Sequence, residues 1–471
     1  MYVKDSKYIK NNKALFKALL GELLEKYEYA SILVQDAYAK RYGVSKAGIS
    51  ANEDEMHCTR GFVVRVFDGD CFAEYSGNEI SKDKIKVIVD SIGADLLSMG
   101  KSLSKSRYSV PDDEPTTFSK STEYKVDPEE LGDTAILEYL SKIHKTAMEY
   151  DERVLNYNAI CSYEKYSKLF LSRNKDMEQN VMYAAGYGVV MTKKGEEVKT
   201  HMACFSNLGG MEVLDKMLDA VPEVCKVGIE LLDSEPLTPG EYECICDPAT
   251  TGMIVHEAFG HGVEMDMFVK DRAHAKNCMG EYVASPLITM HDGNGVNEVA
   301  TYFFDDEGTL QSDTIVIDKG VLVAGFSDLQ SAKALGTVPT GNGRRESFER
   351  KAYTRMTNTY FEAGTDKVED MIASVKYGLF LENPMSGMED PKNWGIQCIV
   401  NMAREIRDGK FTGKIFSPIV LTGYVPDLLK SISMVSDEIK LSGTGHCGKG
   451  HKEWVKVSDG GPYIKAKIRL G

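Results

Sequence analysis

Thr251-Gly-Met-Ile-Val-His256-Glu257-Ala258-Phe259-Gly260-His261-Gly262 places two imidazoles and a carboxylate within six residues, directly after a short apolar run. Neutral imidazole is the commonest zinc ligand, and a Glu beside a ligating His can serve as general base toward water activated by the metal. In the usual zinc-protease pattern the two His stand four residues apart on one helix face. Here they are one residue further apart. On a regular helix five residues turn through roughly 500°, leaving His261 about 140° away from His256. For both to reach one ion, the helix must carry an extra-residue π-bulge or end and turn before His261. Gly260 and Gly262 flank that His and offer the permissive backbone such a distortion uses.

Glu241–Asp247 reads as a strand running straight into this helix, and the breaker cluster Glu235-Pro-Leu-Thr-Pro-Gly240 stands before it. A domain boundary is expected there, giving domains 1–234 and 235–471. In the second half strands dominate. Thr314–Asp318 and Val321–Phe326 form a hairpin around Lys319-Gly320, followed by strands at Phe416–Gly423, Met434–Leu441 and Tyr463–Leu470 and short helices at 366–377 and 396–408. The first half mixes both classes. Helices are expected at 11–26, after Ser81, around Ile136–Ala147, and over 211–232 with an interruption at Pro222. Strands are expected at Tyr29–Tyr38, Gly61–Val66, Cys71–Tyr75, Lys168–Ser172 and Val181–Met191, and residues 101–130, with Pro111, Pro115 and Pro128, as an exposed connection. The fold class is therefore α+β: an α/β N-terminal domain and a β-rich, barrel-like or sandwich C-terminal domain carrying the metal-site helix.

Composition narrows the function. The 471 residues are 42% hydrophobic and 27% charged, enough for large cores in more than one domain. A net charge of −15 argues against general affinity for nucleic-acid phosphates. No apolar run reaches the roughly 18 residues of a membrane span, and the N-terminus lacks a secretory apolar core. Ten scattered Cys fit reduced thiols in a cytoplasmic protein, and the pair Cys244-Ile-Cys246 fits alternate burial in a strand. His57, His144 and His201 are single histidines with structural roles as the default.

A catalytic zinc takes three protein ligands and keeps one position open. Beyond His256 and His261, the third can come from His274, Cys278, His291, Cys398, His446, Cys447, His451, Glu264 or Asp266. Gly443-Thr-Gly-His446-Cys447-Gly-Lys-Gly450 stands out, because four glycines suit a loop that carries a ligand to a site built elsewhere. Cys447 and His446 are the rivals there. Glu257 follows His256 directly and points about 100° away from it, the direction of a base rather than a ligand. Gly341-Asn-Gly-Arg344-Arg345-Glu346 offers paired arginines to a carboxylate or phosphate. Arg355-Met-Thr-Asn358-Thr-Tyr360 alternates like an exposed strand whose edge holds an extended peptide. Asp305-Asp-Glu-Gly308 reads as a turn.

Together these runs resemble the TldD/PmbA family of peptidases: His256-Glu257-Ala-Phe-Gly-His261, Gly341–Ser347, Arg355–Tyr360, Asp305–Gly308, and the closing Ser433-Met-Val435, Leu441 and Gly445-His-Cys447-Gly-Lys449. Arg60-Gly61 adds a weaker N-terminal match. The resemblance implies an active, TldD-type zinc peptidase with His256, His261 and Cys447 as ligands to Zn2+ and Glu257 as base. It also implies unfolded peptides or small unstructured proteins as substrates, and a homodimer or a heterodimer with a PmbA-type subunit. Arg344, Arg345, Asn358 and Tyr360 are the residues expected around the peptide. His451-Lys-Glu-Trp454 departs from the small apolar residues that usually close the family. The rival readings are a non-catalytic peptide-binding scaffold, its fourth metal position filled by His446 or Glu264, and a metal-dependent amidase acting on small molecules. Neither nucleic acid nor membrane is expected as a partner.

Overall fold

The computed structural model describes residues 1–69, 71–99, 110, 113–450 and 453–471; the expectations attached to Pro111 and His451 lie outside these. The N-terminal half is built on an eight-stranded sheet. Its path runs Phe72–Gly77, Arg60–Phe67, Tyr29–Ser45, Val154–Leu171, Lys175–Lys194, Thr116–Ser121, with Gly48–Glu53 and Glu197–Leu208 attached at its margins. Residues alternate between the two faces of a strand. Ala30, Ile32, Val34, Tyr42 and Val44 enter apolar cores beneath four helices, Lys7–Leu24, Lys82–Met99, Asp133–Met148 and Val213–Glu230. Leu33 points the other way and meets Phe170, Met177 and Phe304. Helices thus cover one face of the sheet, and the C-terminal half docks on the other.

Polar contacts add to that docking. Gln179 donates to the Phe304 carbonyl at 2.9 Å, Tyr187 to the Thr444 carbonyl at 2.7 Å and Ser206 to Glu298 at 3.0 Å. Asp305-Asp-Glu-Gly308 is a hub of the contact. Glu307 pairs with Arg65, Asp306 with Lys168, and Asp305 accepts the amides of Glu307, Thr309 and Gly343. Gly308 has φ +77°, and a Cβ there would lie 2.3 Å from the Phe170 ring, so no other residue fits.

The C-terminal half contains a closed five-stranded barrel, Tyr377–Asp390, Gly240–Cys246, Ile464–Leu470, Ile419–Tyr424 and Gly395–Arg407, the last pairing back to the first. Beside it lies a six-stranded sheet ordered Val321–Leu322, Asp313–Asp318, Met290–Gly293, Asn358–Phe361, Ser458–Gly461, Lys440–Ser442. One apolar core joins the two around Ile254, Val255, Ala258 and Phe259 of the His256 helix.

Several local expectations are corrected. Residues 396–408 are not a helix but the barrel strand Gly395–Arg407, in which Ile396, Cys398, Val400 and Met402 are buried with period two. Pro222 does not interrupt its helix; Val213–Glu230 runs through it. Buried Val213, Leu214, Met217, Val221, Val224 and Cys225 outweigh the missing amide bond there. The strand expected over Phe416–Gly423 is two strands, parted at a cis Ser417–Pro418 peptide. The run from Arg355 to Tyr360 is no exposed edge. Arg355, Thr357, Asn358 and Thr359 are fully buried, and their strand lies between two neighbours. Buried Asp292 satisfies this polar run by accepting from Thr357, Thr359 and Asn342.

Candidate metal centre

The segment leaving Gly240–Cys246 begins as a helix capped by Asp247, whose carboxylate accepts the Thr250 amide at 2.7 Å. Over Ile254–Gly260 it widens into a π-helix, and the His261 amide bonds the His256 carbonyl five residues back. That i→i+5 pattern stacks the two His nearly one above the other. Of the two distortions open to the sequence, the bulge is the one present. Gly260 is not there for backbone freedom, since its φ of −56° suits any residue. A Cβ would lie 2.3 Å from the Met356 sulfur, so the glycine makes room for Met356.

The two imidazoles are 5.1 Å apart, ring planes perpendicular, and Cys447 lies between them. Its sulfur is 3.2 Å from His256 Nε2 and 3.3 Å from His261 Nε2. Two nitrogens and one sulfur at these separations match three corners of a tetrahedron around one ion, and the donor set is that of zinc. Burial opposes charge on all three groups, but their mutual attraction prevails. The imidazoles hold the Cys447 thiol well below its usual pKa, and the thiolate lifts His256 to about 9. The thiolate form that a metal needs is already favoured. The residues present fit a metal.

Behind His261 stands a buried ionic cluster. His261 Nδ1 is 3.7 Å from Glu264, which Lys449 approaches to 2.9 Å and Arg355 to 3.4 Å. Burial would raise the Glu264 carboxyl; Lys449, His261 and Arg355 hold it well below the usual range. Lys449 also pairs with Asp266 at 2.7 Å, and fully buried Arg355 donates to the Cys447 carbonyl at 2.7 Å. This cluster orients a candidate ligand on each side, as carboxylates behind metal-binding imidazoles do. Glu264 and Asp266 therefore sit behind the trio rather than in it.

Glu257 lines a cleft of about 570 Å³ whose wall includes His256, Cys447, Asp459, Met385 and Gly387, with Met202 and Cys204 from the N-terminal sheet. Burial raises the Glu257 carboxyl, partly offset by the two imidazoles, and it stands 3.9 Å from His261 Nε2. Burial pushes Asp459, across the cleft, to about 6.

The remaining candidates lie elsewhere. His446 turns away and stacks toward His57. His274 packs on Trp394, His291 bonds Asp313 and Glu362, and Cys278 sits apart from the trio. Cys398 lies behind Gly387, and the thiols of Cys244 and Cys246 are buried and raised, without a metal partner. Of the residues expected around a peptide, Arg345 is buried against Glu74 and the Arg350 carbonyl. Asn358 is fully buried and bonds the Gly293 carbonyl, while Tyr360 is buried and stacked on His291. All three are corrected to internal roles. Arg344 donates to the Met356 carbonyl at 2.7 Å and borders a neighbouring polar cavity. Trp454, from the departing tail, covers Gly448. Sequence reading missed Lys449, Asp459 and Glu389, whose two carboxylate oxygens are buried beside Gly262 without a hydrogen-bond partner. Only the Lys449 position carried a signal, inside the glycine loop.

Residues 239–469 match the PmbA/TldA metallopeptidase C-terminal domain. The chain is 26% identical to a Buchnera aphidicola protein named metalloprotease TldD homolog, over 97% of this chain and 95% of the other. It is 24% identical to a zinc metalloprotease TldD homolog of Saccharolobus solfataricus, over 70% and 73%. The crystal structure of TldE from Thermococcus kodakarensis has the same fold, with a TM-score of 0.75 at 19% identity over 97% of this chain and all of that one. Among the described residues no helix is long and apolar enough to cross a membrane.

Proposed function

For a chain that belongs to the TldD/PmbA metallopeptidase family, we propose the activity of a zinc-dependent peptidase acting on unfolded polypeptide. The observation that carries it is the convergence of His256, His261 and Cys447 beside a cleft that Glu257 also lines. These three residues would hold a zinc ion, which would supply Lewis acidity toward the scissile carbonyl and acidify water. Glu257 takes the proton from the attacking water and delivers it to the leaving amine, a role its raised pKa suits. Glu264, Lys449 and Arg355 keep His261 and the Cys447 loop in place. Two outer strands contribute to the wall of the cleft: Glu197–Leu208 through Met202 to Cys204, and Lys440–Ser442 through Ser442. An extended peptide adding to such an edge is held by main-chain hydrogen bonds, independent of its sequence. That geometry favours peptides over small amides.

In this proposal residues 1–234 form a domain that controls access and residues 235–471 the peptidase domain. The protein works in the cytoplasm as a dimer, with itself or with a subunit of the PmbA type. The test is metal content beside cleavage of an unfolded protein, for wild type, Glu257→Gln and Cys447→Ala. One zinc at this site, retained without activity in Glu257→Gln and lost in Cys447→Ala, is the expected result, with the rate down by at least about 100-fold. Wild-type cleavage by Glu257→Gln with zinc bound would overturn the mechanism.

A further inference from the structure

We infer a second transition-metal site, formed by His57, Glu164 and His446, that pins the strand carrying Cys447 to the N-terminal sheet. One ligand atom from each of the three lies within 4.8 Å of the others. They come from three separate places: the turn before Arg60–Phe67, the strand Val154–Leu171, and the strand pair in which His446 faces Lys456 and Cys447 faces Val455. Neighbouring residues of a strand point to opposite sides. Cys447 therefore reaches the His256 trio on one side, while His446 reaches His57 on the other. The two groups of ligands are separate.

Two details favour an ion over ordinary packing. Among the described residues, buried His446 Nε2 has no hydrogen-bond partner, which buried polar atoms seldom lack. His57 Nδ1 lies 3.0 Å from an Asp54 carboxylate oxygen. A proton on Nδ1 serves that contact and leaves the Nε2 lone pair free, as for imidazoles that bind metals with a carboxylate behind them. The two rings stand 4.6 Å apart and form no bond with each other. Glu164 accepts from the Tyr183 hydroxyl and brings the negative charge.

Four cations border the same cavity, of which Lys168 and Arg345 are paired with Asp306 and Glu74. Lys456 donates to the Thr444 carbonyl at 3.0 Å and lies over Tyr183; Arg344 lies over Tyr302. They oppose a hard ion bound by charge alone. Two imidazoles and one carboxylate instead select a borderline metal such as zinc over magnesium or calcium. The role is to fasten the Cys447 loop, independently of whether the first site hydrolyses peptides.

The experiment is titration of the metal-stripped full chain with zinc, and with cobalt(II) for its absorption spectrum. Wild type is expected to bind two equivalents, and His57→Gln or Glu164→Gln one. The double variant His256→Ala, His261→Ala is expected to keep one equivalent, lost when His57→Gln is added. Thermal unfolding without metal identifies any variant that fails to fold, and Glu164→Gln, nearly isosteric, stands in if His57→Gln does so. One equivalent in wild type, unchanged by His57→Gln, would overturn the second site and leave the first intact. An equivalent lost in His57→Gln but kept in the His256 and His261 double variant supports the second site, whatever the fate of the peptidase reading. Stabilisation of wild type by inorganic phosphate but not by zinc would make the cavity an anion site and overturn the proposal.

Discussion

Glu264 is a buried charge that stands behind the candidate metal centre without joining it. It balances Lys449 and Arg355 and faces His261 Nδ1, so Glu264→Gln keeps the shape while removing the charge that steadies that imidazole. Zinc affinity, measured by chelator competition, is expected to fall about 10- to 100-fold. His201 makes a separate prediction about pH. It is buried in the strand Glu197–Leu208, and burial followed by Arg404 lowers it to about 4. Because the unfolded chain binds this proton more readily, stability is fully present above pH 6.5 and falls as the pH drops toward 4. The loss is about 3 kcal/mol at most across that window. Urea unfolding at pH 7 and pH 5 should show the decline in wild type and a smaller one in His201→Phe; equal declines would assign it to other groups. His256, Glu257 and His261 stood out because their types and spacing are unusual, whereas Cys447 was preferred to His446 only through the family resemblance. Lys449 and Arg355 were not, since a charged residue reads as exposed until the fold buries its partner beside it.

At the scale of the element, the π-helical turn brings His256 and His261 of a six-residue motif together beside Cys447. The spacing required a distortion, but the choice between bulge and early end rested on packing against the barrel and Met356. Gly260→Ala is expected to destabilise the protein by about 1–3 kcal/mol and weaken zinc binding, because the added methyl meets the Met356 sulfur. Met356→Ala in the same chain should restore part of both, measured as melting temperature and zinc affinity. If the double variant is as weak as the sum of the singles, the bulge itself rather than the contact requires the glycine. Gly395–Arg407 was misread as a helix because its apolar residues are dense enough to satisfy either period. Barrel closure against Tyr377–Asp390 and Ile419–Tyr424 selects the strand. The buried run ending in Tyr360 was misread for the opposite reason: its polar residues suit a surface, and Asp292 supplies them with an interior instead.

Across the whole molecule, the joint between the two halves combines buried ion pairs with small apolar clusters, Leu33, Phe170 and Met177 against Phe304 and Val227 and Leu231 against Met402 and Ile415. Arg65 bridges Glu74, at 3.0 Å, and Glu307. Arg65→Ala leaves Glu307 buried without its cation and is expected to cost about 3–5 kcal/mol, whereas Arg65→Ala with Glu307→Leu should recover much of it. Denaturant unfolding followed by two probes, one in each half, checks this, and a single variant within about 0.5 kcal/mol of wild type would show the joint to be held elsewhere. By itself the sequence determined the α+β class and marked the residues of a candidate metal site, because periodicity, turn residues and ligand spacing are local properties of a chain. Only the tertiary structure decided that the second half closes into a barrel, that Arg345, Asn358 and Tyr360 turn inward, and that His446 leaves Cys447 to the trio. Those outcomes depend on which distant residues share a strand pair or a buried charge, and that information resides in long-range contacts.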